Sequence, residues 1–362
     1  MRAFRRPKRI FCSKRVKRID GMRRLSQGNK IVFTINILAA SLLFLACFTP
    51  YVSVHTFPPL SFLGLAVPVL VATNIIFFLY WFVGRKRQWA LSFLALFLGY
   101  LALGNFINLP YGSNATFSDD DLTIMSYNVR GFNKNKNIDS ETIFEDIKAF
   151  VDEQKPDIVC FQEVGYLRRK EYVDYPYKHL EYINNPNKVL MGIFSKYPIV
   201  KAELMNFPNT MNNAAYADIA YQHDTIRIYN VHFQSLGITP GSGRIKKSSS
   251  KKLYRRLATA FKKQEEQAKY VVEHGKSVGY KKIICGDFNN SQFSRVYKIT
   301  AKDKVDTFKA KGSGYGRTLM FHGVPVRIDF ILADPEIEVT GHKTYDILYS
   351  DHFPIMASFR MK

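Results

Sequence analysis

Apolar residues fill most of the first third of the chain. Residues 31–84 and 88–114 contain no Asp, Glu, Lys or Arg. Within them lie apolar stretches at about 31–49, 60–83 and 89–107, each with roughly the 20 residues that a helix needs to cross the hydrocarbon core of a bilayer. A helix that is apolar on every side can also be buried in a large soluble protein, but three such stretches in succession favour membrane spans.

The hydrophobic pattern changes after residue 120. Short apolar or alternating segments, typical of strands, are separated by polar loops and by helical patterns. Strands are predicted at residues 122–132, 156–164, 188–200, 214–221, 225–235, 281–290, 327–334 and 350–359. Helices are predicted at residues 140–153, with Ser140 as N-cap, and at about 252–275. Residues 120–362 are therefore expected to form one α/β domain, which we call the outer domain.

The charge distribution predicts how the chain is oriented in a membrane. The net charge is +22, and residues 1–30 alone carry twelve Lys or Arg against Asp20. A second basic group, residues 85–87, separates the second and third apolar stretches. The positive-inside rule places both groups in the cytoplasm. A cleaved signal peptide is the alternative for the first stretch, but its basic region is too long and its apolar core too extended.

This orientation predicts a multi-pass protein of the inner cell membrane, because three crossings leave everything after residue 107 outside the cytoplasm. The predicted parts are a basic cytoplasmic head at 1–30, a membrane part at 31–107, a linker at 108–119 and an extracytoplasmic domain at 120–362. Because the charge is concentrated in the N-terminal third, it is poor evidence for nucleic-acid binding by the outer domain.

Polar side chains follow apolar runs repeatedly in the outer domain. The apolar residues 283–285 lead into Asp287 and Asn289, whose spacing puts both side chains on one face of a continuing strand. The same pattern occurs at six predicted strands and gives eight polar residues: Asn128, Glu163, His232, Asp287, Asn289, Asp329, Asp351 and His352. Each alone has a structural explanation, such as an Asx turn or a buried histidine with a partner. Together, on one edge of the domain, they would form a metal-assisted hydrolase site.

The ordered motifs SYNVRGF, DIVCFQEV, IFSKYPI, YNVHFQS, GDFNN, RIDF and SDHFPI resemble those of the endonuclease/exonuclease/phosphatase family. The resemblance covers about residues 120–362 and leaves the membrane part outside. It implies a four-layered α/β sandwich of two mainly antiparallel sheets flanked by helices. It also implies hydrolysis of a phosphate ester with Mg²⁺ (or Mn²⁺) as cofactor.

The resemblance implies a role for each of the eight residues. Glu163 and Asn128 match the metal-binding positions, and Asp351 looks like a second acid near the metal. His352 matches the histidine that is the general base or holds the phosphate, and Asp329 the acid that orients it. Asp287 matches the acid that positions or deprotonates the nucleophile, while Asn289 and His232 match the residues that bond the phosphoryl oxygens.

The substrate is not determined by the family, whose members share a phosphate ester and little else. The membrane part favours a lipid headgroup or another envelope phosphoester, presented at a lipid bilayer. An extracytoplasmic nuclease is the alternative, and a non-catalytic binding module a minor one. A basic segment would suit nucleic acid or an anionic membrane: Arg244, Lys246, Lys247, Lys251, Lys252, Arg255, Arg256, Lys262 and Lys263. With only Tyr254 and Phe261 for base stacking, this segment tilts the prediction away from a nuclease. No protein partner can be inferred.

The cysteines show neither metal-type spacing nor a disulfide framework. The chain has four, Cys12, Cys47, Cys160 and Cys285. Cys160 and Cys285 each precede a predicted site acid on an apolar strand, and an oxidising compartment would allow them to pair. Two buried free thiols are the favoured interpretation.

Overall fold

The computed structural model describes residues 25–108, 117–133, 138, 140–165, 175–181, 188–237, 249–321 and 323–361. Most of the predicted basic head and linker, and part of the basic segment, lie outside these residues. The described N-terminal part contains three helices, α1 (Gln27–Ala46), α2 (Pro58–Val83) and α3 (Trp89–Leu103). Ser26 caps α1 by accepting a hydrogen bond from Asn29 N–H, and prolines fit the first turn of α2 because they need no N–H partner there.

The prediction of a third full-length span at 89–107 is wrong. Helix α3 has 15 residues, because Gly104 takes φ +81°, a conformation that ends the helix. Its length of about 22 Å falls short of the roughly 30 Å hydrocarbon core. Among the described residues, two helices, α1 and α2, are long and apolar enough to cross a bilayer.

Buried polar side chains hold the three helices together. Asn36 on α1 donates to Ser92 on α3 (2.7 Å) and accepts from Trp81 on α2 (3.0 Å). Asn74 on α2 donates to the carbonyl of Ala39 on α1 at 3.2 Å. These contacts pair the middle of α1 with the second half of α2 and the beginning of α3, and Asn36 meets Trp81 while Ala39, further along α1, meets the earlier residue Asn74. Helix α2 is therefore antiparallel to both of its neighbours.

Two six-stranded mixed sheets form the centre of the outer domain. The strands are β1 (Leu122–Asn128), β2 (Ile158–Val164), β3 (Tyr177–Leu180), β4 (Leu190–Ser195), β5 (Ile199–Leu204), β6 (Asn213–Tyr221), β7 (Asp224–His232), β8 (Lys281–Asp287), β9 (Val305–Asp306), β10 (Leu319–Phe321), β11 (Val324–Val326), β12 (Asp329–Ala333), β13 (Ile337–Thr344) and β14 (Ile355–Met361). The sheet orders are β13-β14-β1-β2-β4-β3 and β5-β6-β7-β8-β12-β9, while β10 and β11 form a separate hairpin. Each large sheet has one parallel pair, β1 with β2 and β7 with β8, and is otherwise antiparallel.

Helices cover the outer faces of both sheets. They are a helical turn α4 (Arg130–Asn133), α5 (Ile143–Gln154), α6 (Ser250–Gly275), α7 (Arg295–Thr300) and α8 (Thr307–Lys311). The facing sheets share an aliphatic core that includes Ile124 and Ile228. A second core lies between α5 and the first sheet, and a third joins α6 and α7 to the other sheet. The apolar face predicted for α5 is buried as expected.

Several predicted elements differ from the structure at their ends. The segment 188–200, predicted as one strand, divides at residues 196–198, so that β4 and β5 belong to different sheets. Ser140 does not cap α5, which begins at Ile143 after Thr142; Ser140 bonds the Thr142 hydroxyl instead. The strand predicted at 350–359 begins only at Ile355, because residues 350–354 form a loop with a single bridge to Leu319.

The helices are docked on the outer domain through the α1–α2 loop and the chain after α3. The Glu265 carboxylate on α6 accepts hydrogen bonds from Val54 N–H (2.8 Å) and Ser53 Oγ (3.0 Å). Ser291 donates to the carbonyl of Gly64 on α2 at 2.9 Å. Asn108, which follows α3, donates to the Gly312 carbonyl at 2.8 Å and forms a β-bridge with Gly314. The outer domain thus lies at one end of the helices, opposite the basic loop 85–87.

Cys160 and Cys285 are buried and free, as is Cys47. The first two belong to the core between the sheets. Burial raises the pKa of the Cys160 thiol well above its ordinary value, so this thiol is expected to remain protonated.

Candidate active site

The strand register brings the predicted polar residues to one end of the two sheets. Asp287, at the end of β8, lies beside His232 on parallel β7 and opposite Asp329 on antiparallel β12. In the other sheet, Asn128 at the end of β1 lies beside Gln162 on β2. Gly286 allows β7 and β8 to approach closely, since a Cβ at this position would lie 2.0 Å from the Val231 carbonyl oxygen.

The Asp287 carboxylate is the most connected group of the site. Its Oδ2 accepts hydrogen bonds from Asn128 Nδ2 and Asn289 Nδ2, both at 3.1 Å. The same oxygen lies 3.4 Å from His232 Nε2 and 3.7 Å from His352 Nε2. Its Oδ1 accepts from the Asn289 backbone N–H at 2.7 Å. Asp287 therefore links both sheets and both histidines, in a position where it is 1% exposed.

His352 and Asp329 form a buried pair beside Asp287. The His352 Nδ1 atom lies 2.9 Å from Asp329 Oδ2 and 3.2 Å from Oδ1. This geometry orients the ring and leaves its Nε2 atom directed to the same side as Asp287. Thr318 fixes the acid in turn, because its hydroxyl accepts a hydrogen bond from Asp329 N–H at 3.0 Å. A histidine oriented by a carboxylate in this way is suited to proton transfer.

Glu163 lies at the open side of the site and is the least buried of its carboxylates. It follows a register shift in β2 and has φ +54°, a strained value for a residue other than glycine. Its Oε1 lies 3.4 Å from both Asn128 Nδ2 and His232 Nε2. The strained backbone at this position holds a carboxylate in the cleft and is a sign of a functional constraint.

Asp351 lies next to this group and is held by two neighbours. It forms an ion pair with Arg130, and its Oδ1 lies 3.3 Å from Ser350 Oγ. Ser350 also donates to the Asn128 carbonyl at 2.8 Å, which connects this loop to the end of β1. The structure thus brings all eight predicted residues into one connected network.

Two groups of side chains have donor atoms suited to a divalent cation. Glu163, Asp351 and the Oδ1 atom of Asn128 offer oxygen ligands, which Mg²⁺ prefers, although here Asn128 Oδ1 accepts from Arg130 N–H and Asp351 is paired with the Arg130 side chain. Asp287, Asp329 and His352 each offer one ligand atom within 4.8 Å of the others. In the second group, however, His352 is already bonded to Asp329 and would supply nitrogen. The all-oxygen group around Glu163 therefore fits a hard cation better.

Burial and opposite charges shift the pKa values of the site in different directions. Burial alone would lower the pKa of His352, but the charges of Asp329 and Asp287 raise it well above its ordinary value. His232 is likewise buried, yet its contacts with Asp287 and Glu163 raise its pKa. Burial would raise the pKa of Asp287, and the two histidines lower it. Burial raises the pKa of Asp329 to about 6. Perturbed titrations of this kind are concentrated at functional sites.

Sequence reasoning missed several residues that support the network. Asn212 lies 3.3 Å from His232, and Gln162 bonds Asn230 across the two sheets at 2.8 Å. Arg130 neutralises Asp351, while Thr318 positions Asp329. Asn212 and Thr318 do not follow an apolar strand and left no signal. Signals were available for Gln162 and Asn230, which stand near the ends of apolar strands, and for Arg130, whose charge follows Asn128 by two positions.

Comparisons with known proteins place this domain. The model of the endonuclease/exonuclease/phosphatase family matches residues 125–352, and that of a domain of unknown function (DUF8431) matches residues 29–106. No curated protein matches the chain.

Solved structures share the fold. One is D. rerio TDP2 complexed with a single-strand DNA product, with a TM-score of 0.52 and 17% identity over 67% of this chain and 100% of that chain. Another is an endonuclease/exonuclease/phosphatase family protein from Bacteroides thetaiotaomicron, with a TM-score of 0.50 and 18% identity over 68% and 100% of the two chains. The chain therefore belongs to the endonuclease/exonuclease/phosphatase family, and the matched segment is a metal-dependent phosphoesterase domain.

Proposed function

We propose that this protein is a membrane-anchored, Mg²⁺-dependent (or Mn²⁺-dependent) phosphoester hydrolase whose extracytoplasmic domain acts on a lipid-linked or other envelope phosphoester. The observation that carries the proposal is the oriented pair of His352 and Asp329 beside Asp287, in a domain docked against exposed apolar helices. The histidine–aspartate pair supports hydrolysis, and the exposed apolar helices support anchoring in a membrane.

Each residue of the network is assigned a role in hydrolysis. Glu163 and Asn128 hold the cation, and Asp351 lies near it. When bound there, a divalent cation neutralises charge on the phosphoryl oxygens. Asn289 and His232 donate hydrogen bonds to those oxygens, which stabilises the charge that develops in the transition state.

We assign proton transfer to Asp287, His352 and Asp329. Asp287 positions the attacking water. His352 takes its proton or binds the scissile phosphate, depending on its protonation state. Asp329 keeps the His352 ring in place through the contact at Nδ1. Since a phosphodiester is an anion, attack by water requires both this base and the neutralising groups opposite.

The exposure of the helices supports a membrane anchor. Large apolar side chains cover the outside of all three helices, including Ile31, Ile76 and Leu101. Contiguous apolar surface of this extent is rare on monomeric soluble proteins. In the most apolar 18-residue stretch of each helix, only 28% of α1 and 22% of α2 is buried. These helices therefore lack the cover that core helices of a soluble protein have.

The docking geometry supports an extracytoplasmic outer domain. The domain contacts Ser53 and Val54 in the α1–α2 loop, whereas the basic loop 85–87 lies at the other end of the helices. If α1 and α2 cross the bilayer and the basic residues stay inside, the domain is outside. A reporter fused after Lys362 should then be active only outside the cytoplasm; activity in the cytoplasm would contradict this orientation.

A second candidate function is an extracytoplasmic nuclease. The solved TDP2 structure was obtained with a single-strand DNA product. On this chain, α6 presents basic side chains that could bind phosphates: Lys251, Lys252, Arg255, Arg256, Lys262 and Lys263. The other members of the predicted basic segment, Arg244, Lys246 and Lys247, lie outside the described residues. Nucleic-acid binding through α6 predicts a steep loss of affinity with added salt.

A substrate panel tests the proposal and separates the two candidates. The full chain in detergent is assayed with bis-p-nitrophenyl phosphate, plasmid DNA, RNA and phospholipid vesicles, in Mg²⁺ and in EDTA. We expect Mg²⁺-dependent turnover of the chromogenic ester and of a lipid, and its loss in Asp287→Ala. Turnover that persists in EDTA would contradict metal-dependent hydrolysis by this site. Fast cleavage of DNA or RNA without lipid turnover would favour the nuclease.

A further inference from the structure

A partly open cavity of about 170 Å³ lies between α2 and the outer domain. Leu65 and Pro68 form its wall on α2, and the β10–β11 hairpin contributes Leu319, Phe321 and Val326 opposite. The segments 235–236, 289–292 and 327–328 complete it. Neither the helices alone nor the outer domain alone would enclose this space.

The cavity adjoins the candidate active site. Asn289 lines it and donates to the Asp287 carboxylate two residues earlier. Ile328 lines it directly before Asp329, and Leu319 forms a bridge with His352. The cavity is therefore a neighbouring space that a substituent of a phosphate ester bound at these residues can enter.

The cavity also lies at the level where the apolar surface of the helices begins. No residue of α2 from 60 to 68 is exposed, because the outer domain and the other helices cover them. From Val69, which is 51% exposed, to Val83, eight residues of α2 are exposed. Pro68 is thus the last covered position before the surface that faces hydrocarbon. A lipid in the adjoining leaflet has its phosphate and the beginning of its chains near this level.

The lining is mostly apolar, with five polar or charged residues: Ser235, Asn289, Ser291, Gln292 and Arg327. Aliphatic and aromatic side chains predominate, and the lining contains no lysine. The one cation, Arg327, already forms a buried pair with Asp306. Gln292 is 7% exposed, and its Oε1 has no hydrogen-bond partner among the described residues. This buried acceptor is suited to a hydroxyl or amide N–H of a bound molecule, since buried polar atoms normally have partners.

We propose that this cavity is the subsite for the hydrocarbon portion of the substrate, so that α2 is part of the active site as well as an anchor. The inference rests on the proposed function and identifies its substrate class. The substrate is a phosphoester with an aliphatic chain, whose phosphate binds at Asn289, His232 and His352 beside Asp287. Its first chain segment packs between Leu65 and the β10–β11 hairpin. A nucleic-acid substrate is disfavoured because a nucleotide next to the scissile phosphate would meet apolar walls.

A chain-length comparison tests this subsite. The full chain in detergent is assayed with p-nitrophenyl hexyl phosphate and p-nitrophenyl methyl phosphate, which differ only in the alkyl group. We expect kcat/KM to be at least tenfold higher for the hexyl ester. Leu65→Trp, which fills the cavity from α2, should reduce the hexyl-to-methyl ratio at least tenfold. The matched control Val69→Trp, on the exposed face of the same helix, should keep the wild-type ratio.

A second variant and a nucleic-acid arm complete the test. Val326→Trp fills the cavity from the hairpin and should reduce the ratio even if Leu65→Trp does not fold.

Equal kcat/KM for the two esters, or unchanged ratios in both tryptophan variants, would overturn the subsite while leaving the hydrolase in place. Failure of the wild type to exceed His352→Ala on either ester would overturn the proposed function itself. Cleavage of a single-stranded oligonucleotide that exceeds hexyl ester turnover and is unaffected by Val326→Trp would identify a nucleic-acid substrate.

Discussion

The helices and the outer domain are organised in opposite ways. In α1–α3 the buried side chains include the amides Asn36 and Asn74, while many large aliphatic and aromatic residues are on the outside. In the outer domain the aliphatic side chains are inside, between and around the two sheets. Its buried charges occur in ion pairs, such as Asp306 with Arg327, or in the candidate active site.

This is the contrast expected if the helices face lipid, as we propose, while the outer domain faces water. In hydrocarbon, apolar surface costs nothing to expose and buried polar contacts join helices, whereas in water apolar burial drives folding. Helix α2 combines the two kinds of surface: its first half is covered by the outer domain, and its second half is exposed. The following substitutions compare matched positions in the two parts.

The largest effect is expected at the buried histidine pair of the outer domain. His352→Ala should lower kcat for bis-p-nitrophenyl phosphate by about 10²–10⁴-fold, because a positioned acid or base contributes that much. The matched control is His342→Gln, another buried histidine, which bonds Thr307 and whose pKa is lowered by burial to about 3. The control should retain activity, although its stability falls. Equal losses in both variants would show that His352 acts through folding alone.

The buried pair of Asp306 and Arg327 should respond next most strongly. Asp306→Asn leaves the Arg327 guanidinium uncompensated and should cost about 3–5 kcal/mol in the free energy of unfolding, measured in urea by circular dichroism. Burial would raise the Asp306 pKa, but the charge of Arg327 lowers it. The stability from this pair is therefore present above the ordinary carboxyl pKa and is lost as the pH falls through the lowered value.

Lys201→Ala is the control for this prediction, because Lys201 and Glu203 form an exposed pair. Exposed ion pairs contribute about 0–1 kcal/mol, so this variant should unfold nearly as the wild type does. If the wild type and Asp306→Asn have the same free energy of unfolding at neutral pH, the buried pair does not stabilise the fold.

Two exposed apolar residues with nearly equal exposure should respond differently to charge. Ile76 on α2 is 66% exposed and Val200 on β5 is 68% exposed. Ile76→Lys should weaken membrane insertion by about 2.5–3.5 kcal/mol, because it places a cation in hydrocarbon. Val200→Lys should change stability by less than about 0.5 kcal/mol. Membrane integration is measured for Ile76→Lys and thermal unfolding for Val200→Lys. If lysine is tolerated equally well at both positions, α2 does not face hydrocarbon at Ile76.

The smallest effect is expected at the buried amide between the helices. Asn36→Leu removes the contacts with Ser92 and Trp81 and should cost about 0.6–1.7 kcal/mol of helix association, measured by detergent-induced unfolding. The neighbouring Ile35→Leu, on the exposed face, should have no measurable effect. A more stable Asn36→Leu variant would indicate that the amide does not join the helices.

The sequence predicted the elements whose pattern is local. The apolar face of α5 has the helical period, and strands β2, β7 and β8 combine an apolar run with a polar end, so both were visible without the fold. The polar ends also predicted which residues lie together. Their roles in catalysis and in metal binding remain proposals.

Features that depend on long-range packing were not predictable. Nothing local distinguishes Leu65 and Pro68, which meet the outer domain, from the exposed apolar residues of α2. The division between β4 and β5 depends on which sheet each strand joins, and short strands such as β10 and β11 have too few residues for a period. Thr318 and Asn212 contribute hydrogen bonds to residues distant in the chain, which no spacing along the chain encodes.

The attachment of Glu265 to the α1–α2 loop has a kinetic consequence. This carboxylate and Asn108 hold the domain on the helices. If α1 and α2 cross the bilayer, as we propose, the candidate active site has a fixed height above it. The protein would then meet a membrane substrate by diffusion in two dimensions, and turnover would follow the number of substrate molecules per unit of membrane area. Diluting the substrate with inert lipid would slow the reaction, even when the total amount in the sample is unchanged.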